Sequence, residues 1–121
     1  MLSLSNCGTV AHNTAAEKIT PEQASLTRAQ ARWDALLKGD IGGAYEFISP
    51  AGRLTLPLSE YRLRINPQYW RSAKAKSATC EAEICEVKLD FDYELNGLKL
   101  SQVITEKWIL DGGKWWFVYR G

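Results

Sequence analysis

The chain predicts an α+β domain, and three observations carry that expectation. Helix-type apolar spacing is confined to residues 20–65, apolar/polar alternation takes over after Trp70, and Asn96-Gly97 supplies a two-residue hairpin turn between two alternating runs. Helices first and strands afterwards, within 121 residues, argue for one domain of three helices followed by an antiparallel meander. A content of 45% hydrophobic and 11% aromatic residues suffices for a real core.

Thr20-Pro21-Glu22-Gln23 reads as a helix start: Thr20 caps, Pro21 suits the first helical position and Gln23 closes a capping box. The helix is expected to run to Lys38, with Leu26, Ala29, Trp33 and Leu36 or Leu37 on its apolar face and Gly39 as the left-handed stop. Asp40 caps a second, short helix bearing Ile41, Ala44, Tyr45 and Ile48, which Pro50 ends. After a loop through Pro57, Ser59 caps a third over Glu60–Ile65, closed by Asn66-Pro67.

The strands are expected at Arg71–Thr79, Ile84–Leu95, Leu98–Leu110 and Trp115–Arg120. Counting outward from Asn96-Gly97 pairs Leu95 with Leu98, Tyr93 with Leu100, Phe91 with Gln102, Leu89 with Ile104 and Val87 with Glu106. The Gly112-Gly113 turn then pairs Trp108 with Phe117 and Glu106 with Tyr119. The first hairpin has two readings. A four-residue turn sets Cys80 opposite Cys85, ready for a disulfide, but aims Lys74 and Lys76 inward. Sliding by one residue faces Lys74 with Asp92 and Lys76 with Asp90 on the wet side. Surface pairs contribute only ~0.2–1 kcal/mol, yet burying two unpaired ammonium groups costs several times more, so the charge register is the expectation.

Lys and Arg number 15 against 14 Asp and Glu, a formal charge of +1, so no global field attracts nucleic acid. Charge is segregated: residues 53–76 hold six bases and one acid, residues 81–94 six acids and one Lys, as neighbouring strands with complementary outer faces would. No apolar run approaches the ~20 residues of a membrane-spanning helix. Leu4-Ser5-Asn6-Cys7 resembles the lipobox of bacterial lipoproteins, which implies a lipidated Cys7, a membrane contact only through that anchor, and a place in the bacterial cell envelope or periplasm. The other reading is an ordinary tail over residues 1–19 and a cytoplasmic protein.

Arg28-Ala29-Gln30-Ala31-Arg32-Trp33-Asp34-Ala35-Leu36-Leu37-Lys38-Gly39-Asp40, with Ala44-Tyr45-Glu46-Phe47-Ile48-Ser49-Pro50 behind it, resembles the nuclear-transport-factor-2-like superfamily, also called SnoaL-like or cystatin-like. So does Glu106-Lys107-Trp108-Ile109-Leu110-Asp111-Gly112-Gly113-Lys114-Trp115. The resemblance spans residues 20–121. It implies a cone-shaped, curved antiparallel sheet packed on the long N-terminal helix plus two short helices, with a pocket between them. That family holds isomerases, dehydratases, cyclases and epoxide hydrolases alongside domains that only bind or dimerise, so only specific side chains argue for a chemistry.

The expected pocket takes Phe91, Tyr93, Gln102, Ile104, Glu106, Trp108, Trp115, Phe117 and Tyr119 from the sheet, with Trp33 and Tyr45 from the helices. Glu106 is the acid/base candidate, because desolvation by aromatics raises a carboxyl pKa. Its other reading is a structural acid partnered by Tyr119 or by an Arg of the helical half. No family catalytic motif transfers; the sole histidine, His12, lies in the tail. Three cysteines and one histidine make no zinc set, so no metal or cofactor is expected. Val103, Ile109, Trp116 and Val118 put apolar area on the outer face, and the resemblance implies a homodimer through it. The expectation is therefore a non-catalytic accessory domain binding a small apolar ligand or an envelope partner protein. The alternatives are an isomerase- or cyclase-type enzyme using Glu106 and a purely structural dimer.

Overall fold

Thr20 opens the first helix by reciprocal capping: its Oγ1 accepts from Gln23 N at 3.1 Å, while Gln23 Oε1 accepts from Thr20 N at 3.1 Å. The computed structural model describes residues 18–120, so Cys7, His12 and nearly all of the 1–19 segment lie outside the described residues. Helix α1 spans Pro21–Leu37, and Gly39 follows it at φ +83°. Ser25, Ala29, Arg32, Trp33 and Leu36 form its buried stripe. Asp40 caps α2 (Ile41–Tyr45), accepting from Gly43 N at 2.9 Å. Where a loop was expected, Ser49 caps a further helix, α3 (Pro50–Thr55), by accepting from Gly52 N. Helix α4 covers Leu58–Arg64 with Pro57, not Ser59, at its cap position, and a 3₁₀ turn follows at Pro67–Tyr69. Three short helices therefore stand where two were expected.

Four antiparallel strands run in the order β1 (Trp70–Glu81), β2 (Ile84–Leu95), β3 (Leu98–Asp111) and β4 (Lys114–Phe117). The β2–β3 register matches the count from Asn96-Gly97 at all five expected pairs, with both turn residues at positive φ. Strand β4 is shorter than expected and ends at Phe117, although Val118 N still donates to Lys107 O at 3.0 Å. Apolar side chains of α1 lie against the alternating inner residues of β1 and β2, and one core unites Trp33, Leu36, Tyr61, Leu89, Phe91, Trp108 and Phe117.

The first hairpin departs from both simple readings. A two-residue turn at Ala82-Glu83, with Ala82 at φ +55°, sets Cys80 opposite Cys85, and the two form a disulfide. A bulge between Ala75 and Ser77 then changes the parity, so Lys74 lies opposite Asp90 and Ser72 opposite Asp92. The charge register is thus corrected: the extra residue lets the chain keep the cysteine pair and still place both lysines outside. Lys76 Nζ lies 3.9 Å from Asp90, and Ser72 Oγ donates to Asp92 at 3.0 Å.

Both outer edges of the sheet are partly covered. Gln30 of α1 lays its amide along β1, donating to Ala73 O at 2.9 Å and accepting from Ala75 N at 2.8 Å. On the far side Phe117 N donates to Phe47 O at 2.7 Å and Ser49 N to Phe117 O at 3.2 Å, so the Phe47–Ser49 segment covers β4.

Candidate functional site

Glu106 sits on the inner face of β3 and is 6% exposed. Arg32, 3% exposed, reaches it from α1, and its Nη1 donates to Glu106 Oε2 at 2.9 Å. Trp33 Nε1 donates to the same oxygen at 2.7 Å, and Trp108 Nε1 donates to Oε1 at 3.1 Å. Every one of these partners is an N–H donor, so the carboxylate acts as an acceptor on both oxygens. Arg32 in turn donates from Nη2 to Tyr61 OH at 3.2 Å and stacks its guanidinium 3.7 Å from the Phe117 ring centre. Arg32 Nε is buried without a partner among the described residues.

Arg32 is the residue the sequence reading did not single out, yet a signal existed. It lies three residues after Ala29 and four before Leu36, on the apolar stripe of α1, and a charge on that stripe must find a buried partner. Arg28, one turn earlier, is a second case. Its Nε donates to Trp115 O at 2.9 Å, and its guanidinium lies 4.5 Å from the Phe47 ring centre and 5.4 Å from that of Trp116. Burial pulls its pKa below the usual arginine value.

The eleven expected pocket residues separate into four groups. Phe91, Trp108 and Trp115 are core, packed rather than lining a void. Trp33, Ile104, Glu106, Phe117 and Tyr119 do come together, around an open depression of about 270 Å³ whose rim carries Lys107 and Arg120. Tyr45 lies elsewhere, donating from its hydroxyl to Leu56 O at 2.7 Å. Tyr93 stacks on Phe91 at 5.4 Å, and its neighbour Gln102 is exposed, so the expected inward role of Gln102 is corrected. The reason is geometric: the first six residues of β3 are all exposed, and no described helix packs over them.

The outer-face set also changes. Trp116 is half-buried beneath cations, with Arg28, Arg53 and Lys114 each within 6 Å of its ring and its Nε1 donating to Asp111 O at 3.0 Å. Ile109 and Val118 are half-buried, and Val103 alone of the four is open, at 63% exposure. Among the described residues no group of three His, Cys, Asp or Glu side chains is placed to hold a metal, and no helix is long and apolar enough to cross a membrane.

No protein-family profile and no curated protein matches the chain. Two solved structures do match over most of its length. One is the solution structure of a SEC-C motif-containing protein from Rhodopseudomonas palustris, with a TM-score of 0.61 and 16% identity over 93% of this chain and 85% of that one. The other is the crystal structure of a SEC-C motif-containing protein from Psychrobacter arcticus, with a TM-score of 0.67 and 10% identity over 98% of this chain and 75% of that one. The chain shares their fold. The resemblance to the nuclear-transport-factor-2-like superfamily is corrected by this finding. The residues that carried it form a helix stop at Gly39-Asp40 and an aromatic hairpin around Gly112-Gly113, which are local structure. At 10–16% identity the likeness speaks of fold alone.

Proposed function

We propose that the chain is a non-catalytic binding module of the bacterial cell envelope, whose inner-face depression receives a small apolar group. The group belongs either to a free ligand or to an apolar side chain of a partner protein. The observation that carries this reading is how Glu106 is used. A general acid or base needs an oxygen free for its substrate, whereas this carboxylate, at the wall of the depression, has both oxygens engaged by N–H bonds from Arg32, Trp33 and Trp108. Beside it the depression offers Trp33, Ile104 and Phe117 as apolar lining, at a size below the ~300–1,000 Å³ of most small-molecule sites. The Cys80–Cys85 disulfide favours an oxidising compartment, in line with the lipobox-like start.

The test is a titration with a hydrophobic fluorophore and a panel of apolar ketones, read by Trp fluorescence and by product formation. Saturable binding lost in Ile104→Arg, with no turnover in the parent, is expected. Turnover that disappears in Glu106→Gln would replace the module with an isomerase- or cyclase-type enzyme.

A further inference from the structure

We infer that the uncovered edge of β3 is a strand-addition site for a second copy of this chain, joining two four-stranded sheets into one. This inference is independent of the reading proposed for the depression. Strand β3 has 14 residues, but β4 pairs only with Trp108–Asp111. Val118 N still donates to Lys107 O, and beyond it Tyr119 and Arg120 turn to the depression on the inner face and form no ladder pair with β3. Seven residues, Leu98–Ile104, are therefore left with β2 on one side and no strand among the described residues on the other.

Among the described residues that stretch has little of the usual protection of an edge. It contains no proline or glycine, and among the described residues the β2–β3 ladder shows no bulge, whereas β1 is bulged twice and bridged by Gln30. Its one charge, Lys99, lies opposite Glu94 of β2. Leu98 and Val103 are open, at 65% and 63% exposure, while Ile104 at its end is half-buried against the core.

A second copy fits this edge by symmetry and by charge. Residues paired across an antiparallel ladder share a face, so a two-fold axis must pass through a residue rather than between two. The middle residue of Leu98–Ile104 is Ser101. Placing the axis there pairs Ser101 with its own copy, Leu98 with Ile104, Leu100 with Gln102 and Lys99 with Val103 of the other chain. No like charges meet. The two Lys99 side chains lie four residues apart, roughly 13 Å, which exceeds the ~8 Å screening length at physiological salt.

Sedimentation velocity on the full chain from low to high micromolar concentration tests the inference. The expected result is a dimer that dissociates on dilution. In Ser101→Lys two ammonium groups face each other across the axis, and in Val103→Lys the new charge meets Lys99 of the other copy. Both should raise the dimer Kd at least tenfold. Neither threatens the fold, since Asp92 and Asp90 of β2 lie opposite these positions. Val103→Thr, which adds no charge and keeps a β-branched side chain, should stay dimeric. A parent chain that is monomeric throughout, or a dimer indifferent to both lysine variants, would overturn the inference.

Discussion

At the scale of residues, the described core is organised around the buried Arg32–Glu106 ion pair. Breaking such a pair by removing one partner costs about 3–5 kcal/mol, because the other charge is stranded out of water. Arg32→Met should therefore lower stability by that order, measured by urea unfolding, since it also removes the guanidinium from Phe117 and Tyr61. Gln30→Ala tests a second polar contact. It leaves Ala73 O and Ala75 N without their amide partner and should cost about 1–2 kcal/mol in the same assay. Glu106 and Trp33 were legible in the sequence because strand parity and helical spacing aim them inward. Their mutual bond was not, since no pattern relates positions 73 residues apart.

At the scale of elements, turns and bulges decide where the strand pattern places its side chains. Asn96-Gly97 and Gly112-Gly113 announce their hairpins, which is why two of the three registers could be counted. The first turn was hidden because Ala82 adopts a positive φ without being Gly or Asn. That conformation costs an L-residue about 1–2 kcal/mol, so Ala82→Gly should raise stability by about 1 kcal/mol after the added freedom of the unfolded chain is offset. The bulge between Ala75 and Ser77 was equally silent, because one inserted residue changes parity without changing composition. Closing a loop of this size stabilises by about 2 kcal/mol in the chain-entropy account, so reducing Cys80–Cys85 should lower the melting temperature by several degrees in a scan with and without reductant.

At the scale of the whole molecule, the order of helices then meander was readable from periodicity, because helical spacing ends before Trp70 and alternation holds along β2 and β3 after it. What could not be read was how far the sheet outruns its helical cover. That mismatch leaves Gln102 and Leu98 outside the core that the same face forms farther along β3. The expected cavity is instead a packed core beside a small depression, because Trp33, Phe91 and Trp108 fill the space where α1 meets the sheet.

The central claim is that Glu106 serves the fold as the acceptor for Arg32 and two indoles. A double-mutant cycle of Arg32→Met and Glu106→Gln, followed by urea unfolding, tests it most directly. Each single change should destabilise by more than about 2 kcal/mol, and the pair by less than their sum, by up to about 3 kcal/mol. Additive losses, or a Glu106→Gln variant as stable as the parent, would contradict the claim.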